Sequence, residues 1–355
     1  MLNKLLGATA LGVVLAGGLT MTAQAQDDPA CRDGDDTQDL ECGRNAEASG
    51  EYSTAVGTEA LATGFASTAI GSEAEASGEF STAVGEYSDA WGDDATAVGE
   101  YARAHADHST AIGQNSWVDS NAEYGTALGN NAFVQAENGT AIGQNSWVDS
   151  NAENGTAIGK DAFVQAEDGT AIGQDAWVDP NAANGTAVGR SAHVQAENGT
   201  AVGEGAEIRV GADYGIAIGQ NAIIEADRDS STAIGQETYV DANQAVAVGR
   251  AAVVYGDYGT AVGEDARVYD PFGTAIGQES WADASHATAI GQGARVEDGA
   301  IYSTAIGQGA EVREGAEEGT AVGQGATIEE GMVKSVAIGR SSYANGNNGV
   351  AVGTA

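Results

Sequence analysis

A short hydrophobic motif recurs along most of the chain, from residue 55 to residue 353. Ala, an aliphatic residue (Val, Ile or Leu) and Gly follow one another 21 times, and successive copies are 14 or 16 residues apart. A period this short has room for two short strands and two turns, but not for two helices. The pattern therefore predicts an all-β, parallel, single-chain β-solenoid in which each period is one coil. Glycines expected to close a turn include Gly57, Gly71, Gly85, Gly113, Gly143 and Gly173.

The residue before the motif suggests which face of the first strand is buried. It is Thr in 17 of the 21 copies, and Ile216, Val246, Val336 and Val350 replace it in the others. Thr and the aliphatic residue two positions later share one strand face, whereas the Ala between them points the other way. Because the replacements are apolar, we interpret the Thr–aliphatic face as the core. The outward Ala column is then our candidate subunit interface.

A second short strand is predicted after each glycine. Ala, Ser or Thr stands three residues after the glycine and Ala, Val or Ile five residues after it, as in Ala60-Leu61-Ala62. The position between them is variable, so it should face the solvent while its neighbours face the core. Comparison of residues 149–155 with 165–169 places the two additional residues of the longer coils in the turn after this strand.

The N-terminal residues 1–25 have the pattern of a secretory signal peptide. Lys4 precedes an apolar stretch, and Ala23-Gln24-Ala25 has the form of a cleavage site. No later segment is long and apolar enough to span a bilayer. We therefore expect an exported protein, cleaved near Ala25, whose mature chain has no membrane-spanning segment.

Residues 26–42 form an acidic segment that we expect to cap the N-terminal end of the solenoid, which would occupy residues 43–355. The two cysteines of the chain, Cys31 and Cys42, both lie in this segment. In an oxidising compartment they can form an intrachain disulfide.

Charge and histidine content restrict the possible functions. The formal net charge is −38, and such a surface repels phosphate backbones, which excludes nucleic acid as a partner. His105 and His108 form an H-x-x-H pair that we interpret as surface residues rather than zinc ligands. No Ser–His–Asp or metal-ligand arrangement is recognisable, so we expect no catalytic residue, no cofactor and no metal site.

Six successive coils carry a ring at the variable position of the second strand. They fall within residues 113–202, where a thirty-residue unit occurs in three near-copies. An exposed aromatic column flanked by acids suits recognition of a glycan, a protein or another surface ligand. The alternatives are that the column lies at a subunit interface or only stabilises the ladder. The candidate binding column consists of Trp117, Phe133, Trp147, Phe163, Trp177 and His193.

The repeats resemble the head repeats of trimeric autotransporter adhesins, the YadA-like heads. Residues 53–64 and 67–78 match the family pattern [Ser/Gly]-[Val/Thr]-Ala-[Ile/Val]-Gly-x-x-Ala-x-Ala-x-Gly, and the resemblance extends from Cys42 to Ala355. It implies a left-handed β-roll, a homotrimer, an outer-membrane-associated location at the cell surface and adhesion to extracellular ligands. The family's coiled-coil stalk and membrane anchor are not recognisable after Gly353, so the chain departs from the family pattern there.

Together these observations predict a secreted or cell-surface adhesin-like protein that attaches to a surface, a matrix or other cells. Ice binding is one alternative, because a regular Thr ladder can match an ice lattice. The interpretation of Thr as a core residue argues against it. A surface-layer or filament subunit joined through the solenoid ends is another alternative.

Overall fold

The computed structural model describes residues 31–33 and 38–353. The expected signal peptide at 1–25 and most of the acidic segment at 26–42 therefore lie outside the described residues. Those described form a parallel β-solenoid of about 22 coils. Within the same residues, no helix is present that could cross a membrane.

Each coil contributes a three-residue strand, and together these strands form what we call the triplet sheet. Every strand pairs in parallel with the strand of the next coil, in register, so that Thr140, Ala141 and Ile142 lie opposite Thr156, Ala157 and Ile158. The triplet strands are Leu40–Cys42, Thr54–Val56, Thr68–Ile70, Thr82–Val84, Thr96–Val98, Thr110–Ile112, Thr126–Leu128, Thr140–Ile142, Thr156–Ile158, Thr170–Ile172, Thr186–Val188, Thr200–Val202, Ile216–Ile218, Thr232–Ile234, Val246–Val248, Thr260–Val262, Thr274–Ile276, Thr288–Ile290, Thr304–Ile306, Thr320–Val322, Val336–Ile338 and Val350–Val352.

The second strand of each coil has two residues, and these strands form the doublet sheet. It is also parallel and in register from one coil to the next, as in the pairing of Trp147–Val148 with Phe163–Val164. The doublet strands are Glu47–Ala48, Leu61–Ala62, Glu75–Ala76, Asp89–Ala90, Arg103–Ala104, Trp117–Val118, Phe133–Val134, Trp147–Val148, Phe163–Val164, Trp177–Val178, His193–Val194, Glu207–Ile208, Ile223–Ile224, Tyr239–Val240, Val253–Val254, Arg267–Val268, Trp281–Ala282, Arg295–Val296, Glu311–Val312, Thr327–Ile328 and Tyr343–Ala344.

The core between the two sheets is built from small side chains, and it contradicts our interpretation of the triplet strand. Ala141 is fully buried, whereas Thr140 and Ile142 on either side of it point outward and stay partly exposed. The same pattern holds along the sheet, so the Ala column lines the interior and cannot be a subunit interface. The interpretation was wrong because a 14-residue coil leaves only a narrow gap between its sheets. Small side chains fill that gap, and the branched ones are displaced to the outside.

The doublet strand agrees with the prediction. Ala60 and Ala62 are fully buried on either side of the half-buried, outward Leu61. In most coils the last residue of the doublet strand is Val or Ile, and these residues are the largest buried side chains of the core, such as Val148 and Ile208. The doublet sheet therefore contributes most of the side-chain volume of the core, and the triplet sheet contributes only small Ala side chains opposite it.

Side-chain sizes on the two sheets compensate one another. In 14 coils the doublet strand ends with Val or Ile, and 10 of these have Gly just before the next triplet strand. In the other 7 coils the doublet strand ends with Ala, and only 1 of these has Gly at that position. The structure gives the reason at Gly273, where a Cβ atom would lie 2.6 Å from Val268 Cγ1. By contrast, the coil that ends its doublet strand with Ala62 has the buried Ser67 at the equivalent position.

This complementarity predicts a compensating pair of substitutions. Gly273→Ser should destabilise the protein by about 1–3 kcal/mol through overpacking, and Val268→Ala by about 2 kcal/mol through a cavity. The double variant should lose at least about 1 kcal/mol less than the sum, because each change makes room for the other. Urea unfolding of the four proteins measures this coupling. Combining Gly273→Ser with the distant Val164→Ala is the control and should be additive; additive losses in both pairs would contradict the prediction.

The N-terminal end of the solenoid has its own construction. Cys31 is joined to Cys42 by a disulfide, and Arg32–Asp33 pairs antiparallel with the first triplet strand. That strand, Leu40–Cys42, is in register with the next, so one irregular coil precedes the regular repeats. Glu41 takes the place of the core Ala and accepts a hydrogen bond from the backbone N of Ala48 at 3.1 Å. A carboxylate thus fixes the first coil of the described residues, at the position that Ala fills in the other coils.

Candidate functional site

The outward side chains of the doublet sheet lie above one another because its strands are parallel and in register. Neighbouring strands are about 4.8 Å apart, which brings flat rings on adjacent coils into stacking distance. All six residues of the candidate binding column are in contact in this way. The ring centroids from Trp117 to His193 are separated in turn by 5.0, 5.5, 5.1, 5.9 and 5.0 Å.

Two further rings, missed by the sequence analysis, extend this stack. Trp91 and His105 stack with centroids 4.0 Å apart and an interplanar angle of 5°, and His105 lies 6.1 Å from Trp117. Both stand two positions after the variable position, so they do not belong to the repeat position that the other six rings share. The stack continues because the ring of His105 leans across to the neighbouring column. Eight rings therefore run without interruption from Trp91 to His193.

A polar column accompanies the rings, with Asp and Gln alternating from coil to coil. Gln195 Nε2 donates to Asp179 Oδ2 at 3.0 Å, and His193 Nε2 lies 3.1 Å from Asp179 Oδ1. Trp177 Nε1 donates to Gln165 Oε1 at 3.2 Å. These contacts orient the rings of Trp177 and His193 and leave carboxylate and amide groups beside the stack, an arrangement suited to a ligand that carries hydroxyl or amino groups.

The solvent reaches the rings to different extents. Trp147 and Trp177 are 39% and 41% exposed, whereas Phe133 and Phe163 beside them are half-buried. Adjacent Trp and Phe planes are inclined to one another by 31° to 43°. The stack therefore stabilises the contact between coils and leaves Trp147 and Trp177 protruding, whereas Trp117 is half-buried and has Arg103 5.4 Å from its ring centroid.

Charged groups at the start of the stack have altered proton affinities. Burial lowers the pKa of His105, Arg103 lowers it further, and Asp119 opposes them. Burial also raises the pKa of Asp89, which Arg103 partly offsets. A neutral His105 ring is thereby favoured at the position where it stacks on Trp91. Its H-x-x-H partner, His108, belongs to a different stack, 4.9 Å from the ring of Tyr124.

A second ring site, also not anticipated, lies near the C-terminal third of the doublet sheet. Trp281 is placed between two guanidinium groups, with Arg295 4.4 Å and Arg267 5.3 Å from its ring centroid. It borders a cavity of about 250 Å³ that Asp283 and Glu297 also line. Burial and then Asp298, Asp270 and Glu297 raise the pKa of Asp283. Because Arg groups cover this Trp on both sides, it differs from Trp147 and Trp177, which protrude from the binding column.

The outward face of the triplet sheet is a different kind of surface. It presents one column of Thr and one of Val, Ile or Leu, and the aliphatic side chains are substantially exposed, as Ile172 and Ile306 show at 38% each. With about 4.8 Å between strands, this flat face is about 100 Å long. A continuous apolar surface of that length is typical of a protein interface rather than of a face left to water.

Comparison with known proteins identifies the repeat. The family model of the YadA head domain repeat (2 copies) matches ten segments, which are residues 43–60, 62–88, 92–116, 120–146, 150–176, 181–206, 226–252, 241–266, 272–294 and 332–355. A search of curated proteins gave no match.

Proposed function

Because this chain belongs to the YadA head domain family, we propose that it is an adhesin-like protein of the cell surface, a non-enzymatic binding and structural protein that attaches to a surface, a matrix or other cells. The observation that carries the proposal is that the solenoid has two unlike outward faces. The triplet sheet is flat and aliphatic, and the doublet sheet carries a protruding aromatic stack with polar groups beside it. One face is suited to assembly and the other to a ligand.

The homotrimer of the proposal forms through the triplet sheet. Proteins of the YadA type are generally trimeric. The triplet face provides a long, regular aliphatic surface, and burying it between chains would stabilise the trimer by about 25 cal/mol for each Å² removed from water. The triplet face is therefore the proposed interface, in place of the Ala column that the sequence suggested. The sheets enclose a common core, so their outward faces point in opposite directions, and packing on the triplet face leaves the doublet face free.

The ligand of the proposal binds along the column from Trp117 to His193. Trp side chains spaced by two coils repeat about every 9.6 Å along the axis, and this regularity favours an extended, repetitive ligand. Aromatic rings with adjacent carboxylate and amide groups provide apolar contact and hydrogen bonds together. Export through the signal peptide at 1–25 would bring this surface to the cell exterior, where such glycan or protein ligands occur.

Replacing the three Trp rings of the column tests this part of the proposal. We expect beads coated with the full chain to be retained under flow on at least one of chitin, cellulose or collagen. Retention should fall at least about tenfold when Trp117, Trp147 and Trp177 are changed to Ser, because aromatic anchors contribute a large share of binding energy. Trp281→Ser, a Trp covered by Arg groups, is the matched control and should retain normal attachment.

Two outcomes would contradict the role of the column. If the triple variant loses its oligomeric state by light scattering while retention is unchanged, the rings are structural only. If wild-type beads are retained on none of the three surfaces, attachment to this class of ligands is contradicted.

Ice binding is a second candidate, and the outward direction of the Thr column favours it. The objection based on the sequence, that Thr lies in the core, does not hold in the structure, where Thr140 is partly exposed on a flat sheet. A monomer that shows clear thermal hysteresis would support this alternative. A trimer without hysteresis would support the adhesin-like function, because the same Thr face cannot be covered by subunits and also contact ice.

A further inference from the structure

The tip of the second turn in each coil is a column of residues in the left-handed backbone conformation. Asn138, Asn154, Asn184 and Asn198 occupy it in the middle of the chain, with φ between 55° and 58°. Their side chains are exposed, except that Asn198 is half-buried. The backbone N of Asn154 donates to the carbonyl of Glu137, beside the preceding tip residue, so the tips follow one another from coil to coil.

Each of these four residues is followed by Gly and Thr. Asn-x-Thr is the acceptor sequence for N-linked glycosylation, and it is used where the Asn is at the surface of an exported protein. The tip position does not demand Asn, since Tyr124, Asp168 and Tyr214 occupy it in neighbouring coils with the same backbone conformation. The acceptor sequences thus form a group on five successive coils, interrupted once, at Asp168.

The amide groups are accessible where they lie. Asn154 Nδ2 donates to Asp168 Oδ1 at 3.0 Å, and Asn198 Nδ2 donates to Glu197 Oε1 at 3.1 Å. Both bonds are on the exposed surface, so an enzyme can replace them with its own contacts at little loss of stability. No core packing would have to change to reach the nitrogen.

We propose that Asn138, Asn154, Asn184 and Asn198 are acceptors of N-linked sugar and form a glycan row along one edge of the solenoid. In the reaction, the amide Nδ2 forms a bond to the anomeric carbon of an activated donor, a nucleotide- or lipid-linked sugar phosphate. The bond from that carbon to the phosphate oxygen breaks, the phosphate leaves with the electron pair, and the nitrogen loses one proton. The inference is independent of the ligand of the aromatic column.

The position of the Thr sets the order of events. Thr156, two residues after Asn154, lies on the outward face of the triplet sheet, which is the proposed subunit interface. An enzyme must recognise this hydroxyl together with the Asn, so sugar transfer precedes assembly. The sugar itself would project from the turn, at the edge of the interface and outside it.

Mass spectrometry of the full chain, purified from the cells that produce it naturally, tests the inference. We expect sugar on the four Asn residues by peptide mapping. Asn348 is a built-in control, because it has the same tip position and the same following Gly but Val350 in place of Thr, and it should be unmodified. Expressed in the same cells, Thr156→Val should abolish modification of Asn154, and Asp168→Asn should add a fifth site.

Several results would overturn the inference. Unmodified Asn at all four positions in the naturally produced protein would do so. So would sugar on Asn348, or sugar retained on Asn154 in the Thr156→Val variant, since either would show that attachment does not require the Thr of the acceptor sequence. The Thr156→Val variant should fold normally, because Val occupies the same strand position in Val246–Val248 and Val336–Ile338.

Discussion

Gly143→Ala is expected to lower the free energy of unfolding by about 3–5 kcal/mol and to disrupt the coils on either side of it. The added Cβ would lie 2.3 Å from the carbonyl oxygen of Gly159 in the next coil. That oxygen belongs to backbone held in register by the triplet sheet, so it cannot move aside. The φ of Gly143 is 135°, a conformation that residues with a side chain rarely adopt, which adds strain to the clash.

Thermal unfolding followed by circular dichroism measures the global loss, and hydrogen exchange shows whether it is centred on these coils. Gly309→Asn is the matched control, because Gly309 has φ 61° and a Cβ there would have no atom within 4 Å. Asn145 occupies the equivalent position of another coil. The control should change stability by less than about 1 kcal/mol. For a chain of 355 residues, this loss corresponds to a decrease of about 4–7 °C in Tm. A Gly143→Ala protein that melts within about 1 °C of wild type would contradict this account of the stacking.

Charges on the triplet face should dissociate the proposed trimer into single chains. Ile142 and Ile158 lie side by side on adjacent strands of that face. Changing both to Lys would place two like charges in each copy of a buried interface, a change that costs several kcal/mol unless each charge is paired. Light scattering should therefore report a threefold decrease in mass, with the β-sheet circular dichroism spectrum unchanged.

The control for this pair carries the same added charge elsewhere. Ser120 and Ser150 are exposed in the second turn of two coils, and changing both to Lys should leave the mass unchanged. A triplet-face variant that keeps the wild-type mass would show that this face is not the interface. A wild-type protein that is already a monomer would contradict the proposed trimer.

The regular features of the fold were predictable because the repeat constrains them locally. Spacing of 14 or 16 residues fixed the coil, and the recurrence of one residue type at one position placed Trp147 beside Phe163 once the strands were in register. The same reasoning correctly assigned Ala60 and Ala62 to the core. Trp91 and His105 were missed because their contact depends on side chains that lean between two columns, which position in a repeat does not encode.

The sequence by itself determined that this protein is a ladder of short coils, which residues occur on the same side of each strand, and where the rings align. It could not decide which side of the triplet strand is the interior, since a two-residue alternation is satisfied equally by Thr outward or Ala outward. Only the tertiary structure decided this, because the width of the gap depends on both sheets at once. Val148 and its equivalents in the doublet sheet take up most of that space. The triplet sheet is then left with room for Ala141 but not for Ile142, and the aliphatic column becomes the outward face through which we expect the chains to assemble.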